Sequence, residues 1–87
     1  MRLKYTFDLV ELEDFTIAVP VGDSANTFHS VVRLNETAAS VFQLLSDEIS
    51  EESITEALSK QYGGNPDQIA SDVQRCINGF REEGLLA

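Results

Sequence analysis

The sequence predicts an α+β domain, a three-stranded antiparallel sheet followed by three helices, an order compatible with a winged helix-turn-helix arrangement. Three observations carry that prediction. Up to Leu34 the apolar residues alternate or fall in short runs, beyond Leu34 they recur at helical spacing, and 87 residues leave room for one core only. The expected organisation is a single domain over residues 1–87, with 1–34 as a β-sheet wing and 35–87 as a three-helix bundle. The element order by itself also admits other α+β packings.

The first strand is read from Phe7 and Leu9 with Leu12 after them, and the second from Phe15, Ile17 and Val19, the two meeting around Glu13 and Asp14. The following PVGDSANT is dense in turn formers. Pro20 denies a ladder donor, Gly22 permits positive φ, and Asp23, Ser24 and Asn26 favour local bonding to the backbone. A third strand is expected from Thr27 to Leu34, with Phe28, Ser30, Val32 and Leu34 on one face and His29, Val31 and Arg33 on the other.

Helical periodicity then takes over. Asn35 caps the first helix, Glu36 sits near its positive end, and Ala38, Val41, Phe42 and Leu45 line one side. Ser50 caps a second helix whose stripe is Ile54, Ala57, Leu58 and Tyr62, and Gly63 and Gly64 stop it. The third has the clearest start: Asn65 at the cap, Pro66 at the first turn, and Gln68 three residues after the cap. Its stripe is Ile69, Val73, Cys76 or Ile77, and Phe80. Gly84 suits the position after the helix, and Leu85 and Leu86 can fold back on the last turn.

Charge narrows the partners. Six basic residues face fifteen acidic ones, a net charge of −9, whereas nucleic-acid binding draws most of its affinity from Lys and Arg at phosphates. The last helix, which would read a DNA groove, carries only Arg75 and Arg81 against Asp67, Asp72, Glu82 and Glu83. Nucleic acid is therefore not an expected partner, and a DNA-binding winged helix stands only as the rival that the fold itself raises. No apolar run is long enough for a membrane span, the N-terminus makes a poor signal peptide, and Cys76 alone can form no internal disulfide, so a cytoplasmic, membrane-free protein is expected.

Enzyme chemistry finds little to use. His29 is the one imidazole and Cys76 falls on an apolar helical stripe, where a thiol is ordinarily a small core side chain. The acidic run DEISEE reads as a solvated helix junction, and the Gly63-Gly64 pair lacks the Lys-Ser or Lys-Thr of a phosphate loop. No catalytic residue, metal or cofactor is expected. What remains is binding to protein or peptide. The edge of a three-stranded sheet offers unpaired N–H and C=O groups that an extended peptide can join as a further strand. Its alternatives are an edge blunted by a loop, or one paired in a homodimeric scaffold.

One resemblance sharpens this. The segment RLNETAASVFQLLSDEISEESITEALSKQYGGNPDQIASDVQRCINGFREEGLL, Arg33 to Leu86, resembles the pyrroloquinoline quinone biosynthesis protein D (PqqD) family, the recognition elements of ribosomally made, modified peptides. It does so through Leu34-Asn35-Glu36-Thr37-Ala38 leading into an apolar helix, the short acidic break, the Ile54 to Tyr62 helix, and the closing Gly84-Leu85-Leu86. The resemblance implies a non-catalytic chaperone. The leader of a precursor peptide would add to the third strand, lie against the third helix, and be presented to a radical S-adenosylmethionine or other peptide-modifying enzyme. Carried onto this chain, the implied peptide-binding residues are Phe28, His29, Ser30, Val31, Val32 and Arg33 on the strand and Ile69, Asp72, Val73 and Cys76 on the helix. For Ile69 and Val73 core packing is the competing reading, since a stripe at helical spacing is usually core.

Overall fold

The computed structural model describes residues 1–87. Three strands, β1 (Phe7–Glu11), β2 (Thr16–Pro20) and β3 (Val32–Leu34), form an antiparallel sheet in the order β1-β2-β3. A four-residue helical turn, α1 (Ser24–Thr27), separates β2 from β3, and α2 (Glu36–Leu44), α3 (Glu51–Tyr62) and α4 (Pro66–Glu82) follow. No helix is long and apolar enough to cross a membrane.

Register decides which apolar residues reach the core. Leu9 pairs with Ala18 and Ala18 with Val32, so these three form one row on the helix side of the sheet. Val10, Ile17 and Arg33 form the next row, facing away from the helices. The second strand therefore turns its small residues inward: Thr16 and Ala18 are buried, whereas Ile17 and Val19, the larger side chains, are only partly covered. Leu12 likewise stays exposed at the hairpin tip, where its N–H donates to the Phe15 carbonyl at 2.8 Å.

The third strand is much shorter than the expected Thr27 to Leu34. Its first residues are taken by α1 and a connecting stretch, and Phe28 closes the turn by donating its N–H to the Ser24 carbonyl at 2.8 Å. Gly22, at φ 61°, lets the chain turn into α1. Carrying the β2–β3 register onward would set Ser30 opposite Pro20, a residue with no N–H to give, which fits pairing that begins only at Val32.

The helices start where their caps direct. The Asn35 side chain accepts from the Ala38 N–H, Ser50 from the Ser53 N–H and Asn65 from the Asp67 N–H. Two details differ from the sequence reading. Gln68 does not reach back to the cap but donates to Asp72 Oδ1 at 3.0 Å. Tyr62 lies outside the apolar stripe, exposed, with its hydroxyl 2.6 Å from Ser40 Oγ.

Val32, Leu34, Val41, Phe42, Leu45, Ile54, Leu58, Val73, Ile77, Phe80 and Leu85 belong to one continuous core that the sheet and the three long helices share. Of the pair left open on the last helix, Ile77 is fully buried and Cys76 half-buried. The end of α4 is a complete Schellman closure: the Gly84 N–H donates to the Arg81 carbonyl, the Leu85 N–H to that of Phe80, and Gly84 takes φ 74°. Leu85 is buried beneath it. The N-terminal segment then locks the ends together, since Lys4 N–H donates to the Leu85 carbonyl, Ala87 N–H to Arg2, and Leu3 N–H to Leu45. Residues 1–3, which the sequence grouped with the sheet, thus bind to the helical half.

Candidate functional site

The candidate site comprises the free edge of β3 and the flank of α4. On the edge, β3 pairs with β2 on one side only. Ahead of it the main-chain groups of His29, Ser30 and Val31 make no hydrogen bond within the chain, and all three residues are exposed. Val31, at 59% exposure, stands out into solvent. The chain from His29 to Arg33 therefore presents an open lead-in and a short formed edge, to which another extended segment can add main-chain hydrogen bonds.

Side chains sort by parity. Val32 is buried toward the helices. Arg33 points to the opposite face and stacks its guanidinium 3.9 Å from the centre of the Phe15 ring. That contact occupies Arg33 within the chain. Phe28 is drawn away from the edge into an aromatic group, 5.2 Å from Tyr5 and 5.8 Å from Phe7 between ring centres, and Phe7 continues through Phe42 to Phe80. Tyr5 and Phe7 build this aromatic group on the β1 side of the sheet, a role that period-two spacing does not disclose, since it marks Phe7 simply as a strand residue. With Leu9 and Phe42 they line a cleft of about 440 Å³ whose mouth carries Arg2 and Lys4.

On α4 the spacing of Ile69, Asp72, Val73 and Cys76 places them on one side of the helix, as expected. Their exposures differ. Val73 is completely buried, so it backs the surface and offers no contact of its own, which corrects its place among the peptide-binding residues. The buried Val32 is corrected in the same way: its side chain packs inward and only its main chain lies on the edge. Ile69 and Cys76 flank Val73, half-buried against the core. The strand and the last helix are linked through that core by way of α2 and do not pack extensively on each other: β3 packs on α2, and α4 packs on α2 and α3.

The polar residues beside them are already engaged. Asp72 accepts from Gln68 and lies 3.6 Å from Arg75 Nη1. Burial, reinforced by the Asp72 carboxylate and opposed by Arg75, pushes the Cys76 thiol above its ordinary value, so it stays protonated near neutral pH and is a poor nucleophile. His29 is exposed, and no three His, Cys, Asp or Glu side chains gather closely enough to hold a metal ion. The arrangement suits noncovalent capture of an extended chain along an apolar shelf.

A second feature escaped the sequence reading. The β1–β2 hairpin tip, α2 and the end of α3 enclose a cleft of about 420 Å³ with Glu11, Glu13, Asp14 and Glu36 on it. The run ELED reads locally as a turn and Glu36 as a helix-terminal charge; no local signal joins them.

Comparison with known proteins bears on the fold and the family. No curated protein matches the chain. Among solved structures, one described as TbiB1 in complex with the TbiA(beta) leader peptide superposes with a TM-score of 0.71, covering 99% of this chain and 94% of that one at 14% identity. At that identity the likeness is one of fold. The model of the family described as coenzyme PQQ synthesis protein D matches residues 19–86, from the middle strand through the closing Leu86, and the chain belongs to the PqqD family.

Proposed function

We propose that this domain is a non-catalytic recognition element that captures the leader segment of a ribosomally made precursor peptide by strand addition at β3 and presents it to a modifying enzyme. The observation that carries the reading is the unpaired main chain of His29 to Val31 running into an edge strand. A leader adding there gains main-chain hydrogen bonds, and apolar leader side chains have Ile69 and Cys76 of α4 as a half-buried shelf. The structurally similar TbiB1 is described in complex with a leader peptide, which supports the same role here. The protonated Cys76 thiol supports a role without covalent chemistry.

The enzyme so served is of the peptide-modifying kind, a radical S-adenosylmethionine protein in the quinone pathway for which the family is named. The acidic surface argues against nucleic acid as the partner. The domain works in the cytoplasm, where precursor peptides are made.

Titration of the isotopically labelled protein with a leader peptide encoded beside its gene tests the proposal. Amide shifts concentrated in residues 28–34 and 69–76 are expected. Shifts scattered over the surface, or confined to the opposite end of the sheet, would remove strand addition as the mode of binding.

A further inference from the structure

The acidic cleft at the hairpin tip has the makings of a second binding site. It sits at the Thr16 end of β2, where Thr16 pairs with Glu11 and Leu34, and so at the opposite end of the sheet from residues 28–31. Glu11, Glu13, Asp14 and Glu36 lie on it, no Lys, Arg or His lines it, and none of these carboxylates takes part in an ion pair. Their negative fields add across a partly enclosed space, where water screens them less than on open surface.

A nearly buried threonine gives the cleft an unpartnered neutral hydroxyl, independently of the charge. Thr16 is 8% exposed, the one polar residue in the core, and its hydroxyl makes no hydrogen bond within the chain. Every fully occluded side-chain polar atom of the protein has a partner, so the Thr16 hydroxyl is open to the cleft it lines and remains free to bond there. In a concave site such a hydroxyl is one of the few polar groups that fix the orientation of what binds there.

The chemistry selects among cations. The carboxylates do not converge into a metal-holding group, which disfavours a small ion needing several oxygens at once. Acceptors spread around an opening suit a planar cation with donors on several sides. The exposed Tyr62 ring at the rim, its hydroxyl paired with Ser40, adds a flat surface for stacking. We propose that this cleft binds an arginine side chain presented by a partner protein. The guanidinium donates its hydrogen bonds to the Thr16 hydroxyl oxygen and the flanking carboxylates, and the aliphatic stem lies against Leu12.

The probe is N-acetyl-arginine methylamide, whose blocked ends keep a free carboxylate from being repelled, with N-acetyl-lysine methylamide as comparison. Titrated into the labelled full chain, the arginine probe should shift amides in residues 11–16, 36–43 and 61–62, leave 28–31 unmoved, and bind more tightly than the lysine probe. Replacing two carboxylates together, Glu13→Gln with Glu36→Gln, should weaken it about fivefold, as expected for two partly screened charge contacts. Thr16→Val should weaken it as well, while Glu51→Gln with Glu52→Gln, acidic residues at the start of α3 outside the cleft, should change nothing. Because Thr16 is buried, the two exposed glutamates keep the test valid if the valine variant fails to fold. Equal affinity for both probes, shifts at every acidic cluster alike, or indifference to the Glu13 and Glu36 changes would overturn the proposal.

Discussion

The stretch after α4 and the stretch before β3 treat their main chains in opposite ways. Past the helix, Gly84, Leu85 and Ala87 all donate to carbonyls of the chain, the Leu85 carbonyl accepts from Lys4, and the Leu85 side chain is sealed in the core. Ahead of the strand, His29, Ser30 and Val31 bond to nothing in the chain and lie in solvent. Main-chain groups left to water cost the fold little, whereas the same groups buried unpaired would cost 1–3 kcal/mol each, roughly. The closure is thus finished structure and the lead-in is bonding capacity held open. With recognition at the lead-in, as proposed, stability and recognition would reside in different stretches, so each should yield to mutation without the other.

The largest effect belongs to the closure. Leu85 is fully buried at the point where the C-terminus meets the N-terminal segment, and Leu85→Ala should destabilise the fold by about 2–5 kcal/mol, read from urea unfolding. Leader affinity, measured at temperatures where the variant remains folded, should stay near that of the parent. A parallel loss of affinity would break the separation and show the closure to be part of the site.

The reverse experiment removes donors from the lead-in. N–H groups alternate in direction along an extended chain, so one of Ser30→Pro and Val31→Pro deletes a donor facing an incoming strand. That variant should lose about tenfold or more in leader affinity, the worth of one main-chain hydrogen bond with its geometry, while the unfolding midpoint moves little. Leader affinity unchanged in both variants, by calorimetry, would mean that the peptide does not pair with this edge.

The same contrast explains what the sequence disclosed. Asn35, Ser50 and Asn65 act on N–H groups two or three residues away, and Gly63 and Gly84 on their own φ, so helix limits could be read from neighbouring residues. The start of β3 depends on Pro20 and on α1 claiming Ser24 to Thr27, which involves a partner strand and a turn that composition marks only as irregular. Parity survived the error: Val32 and Leu34 share one face and Arg33 lies on the other, as expected, since alternation is local even when pairing is not; which face turns inward came from the register. The burial of Val73 and Val32, which takes both side chains off the candidate surface, depended on how deeply the shared core encloses them. The stripe of α4 gave direction without depth. Least legible was the N-terminal segment, whose bonds to Leu45, Leu85 and Ile49 join residues more than forty positions apart.

The smallest expected effect lies at the far end of the closure and sharpens its limits. The Met1 ammonium donates to the Ile49 carbonyl at 2.7 Å and pairs with the Glu48 carboxylate. The hydrogen bond from that ammonium, then its charge, with a smaller contribution from Arg2, holds the Glu48 carboxyl below its ordinary value of 4.5. A carboxylate whose folded value is depressed stabilises the fold above its unfolded value, and that contribution disappears as pH falls through the lower folded value. The ion pair should therefore act at neutral pH and fade below 4.5. Glu48 is exposed, and solvent screening keeps the effect small, so Glu48→Gln should leave the neutral-pH fold intact and slightly flatten the acid limb of stability against pH. Urea midpoints from about pH 6 to about pH 3 in parent and variant would show this, with carboxyl NMR following Glu48 itself. Identical acid limbs, with Glu48 titrating at its ordinary value, would confine the closure to its buried bonds at Leu85 and Leu45.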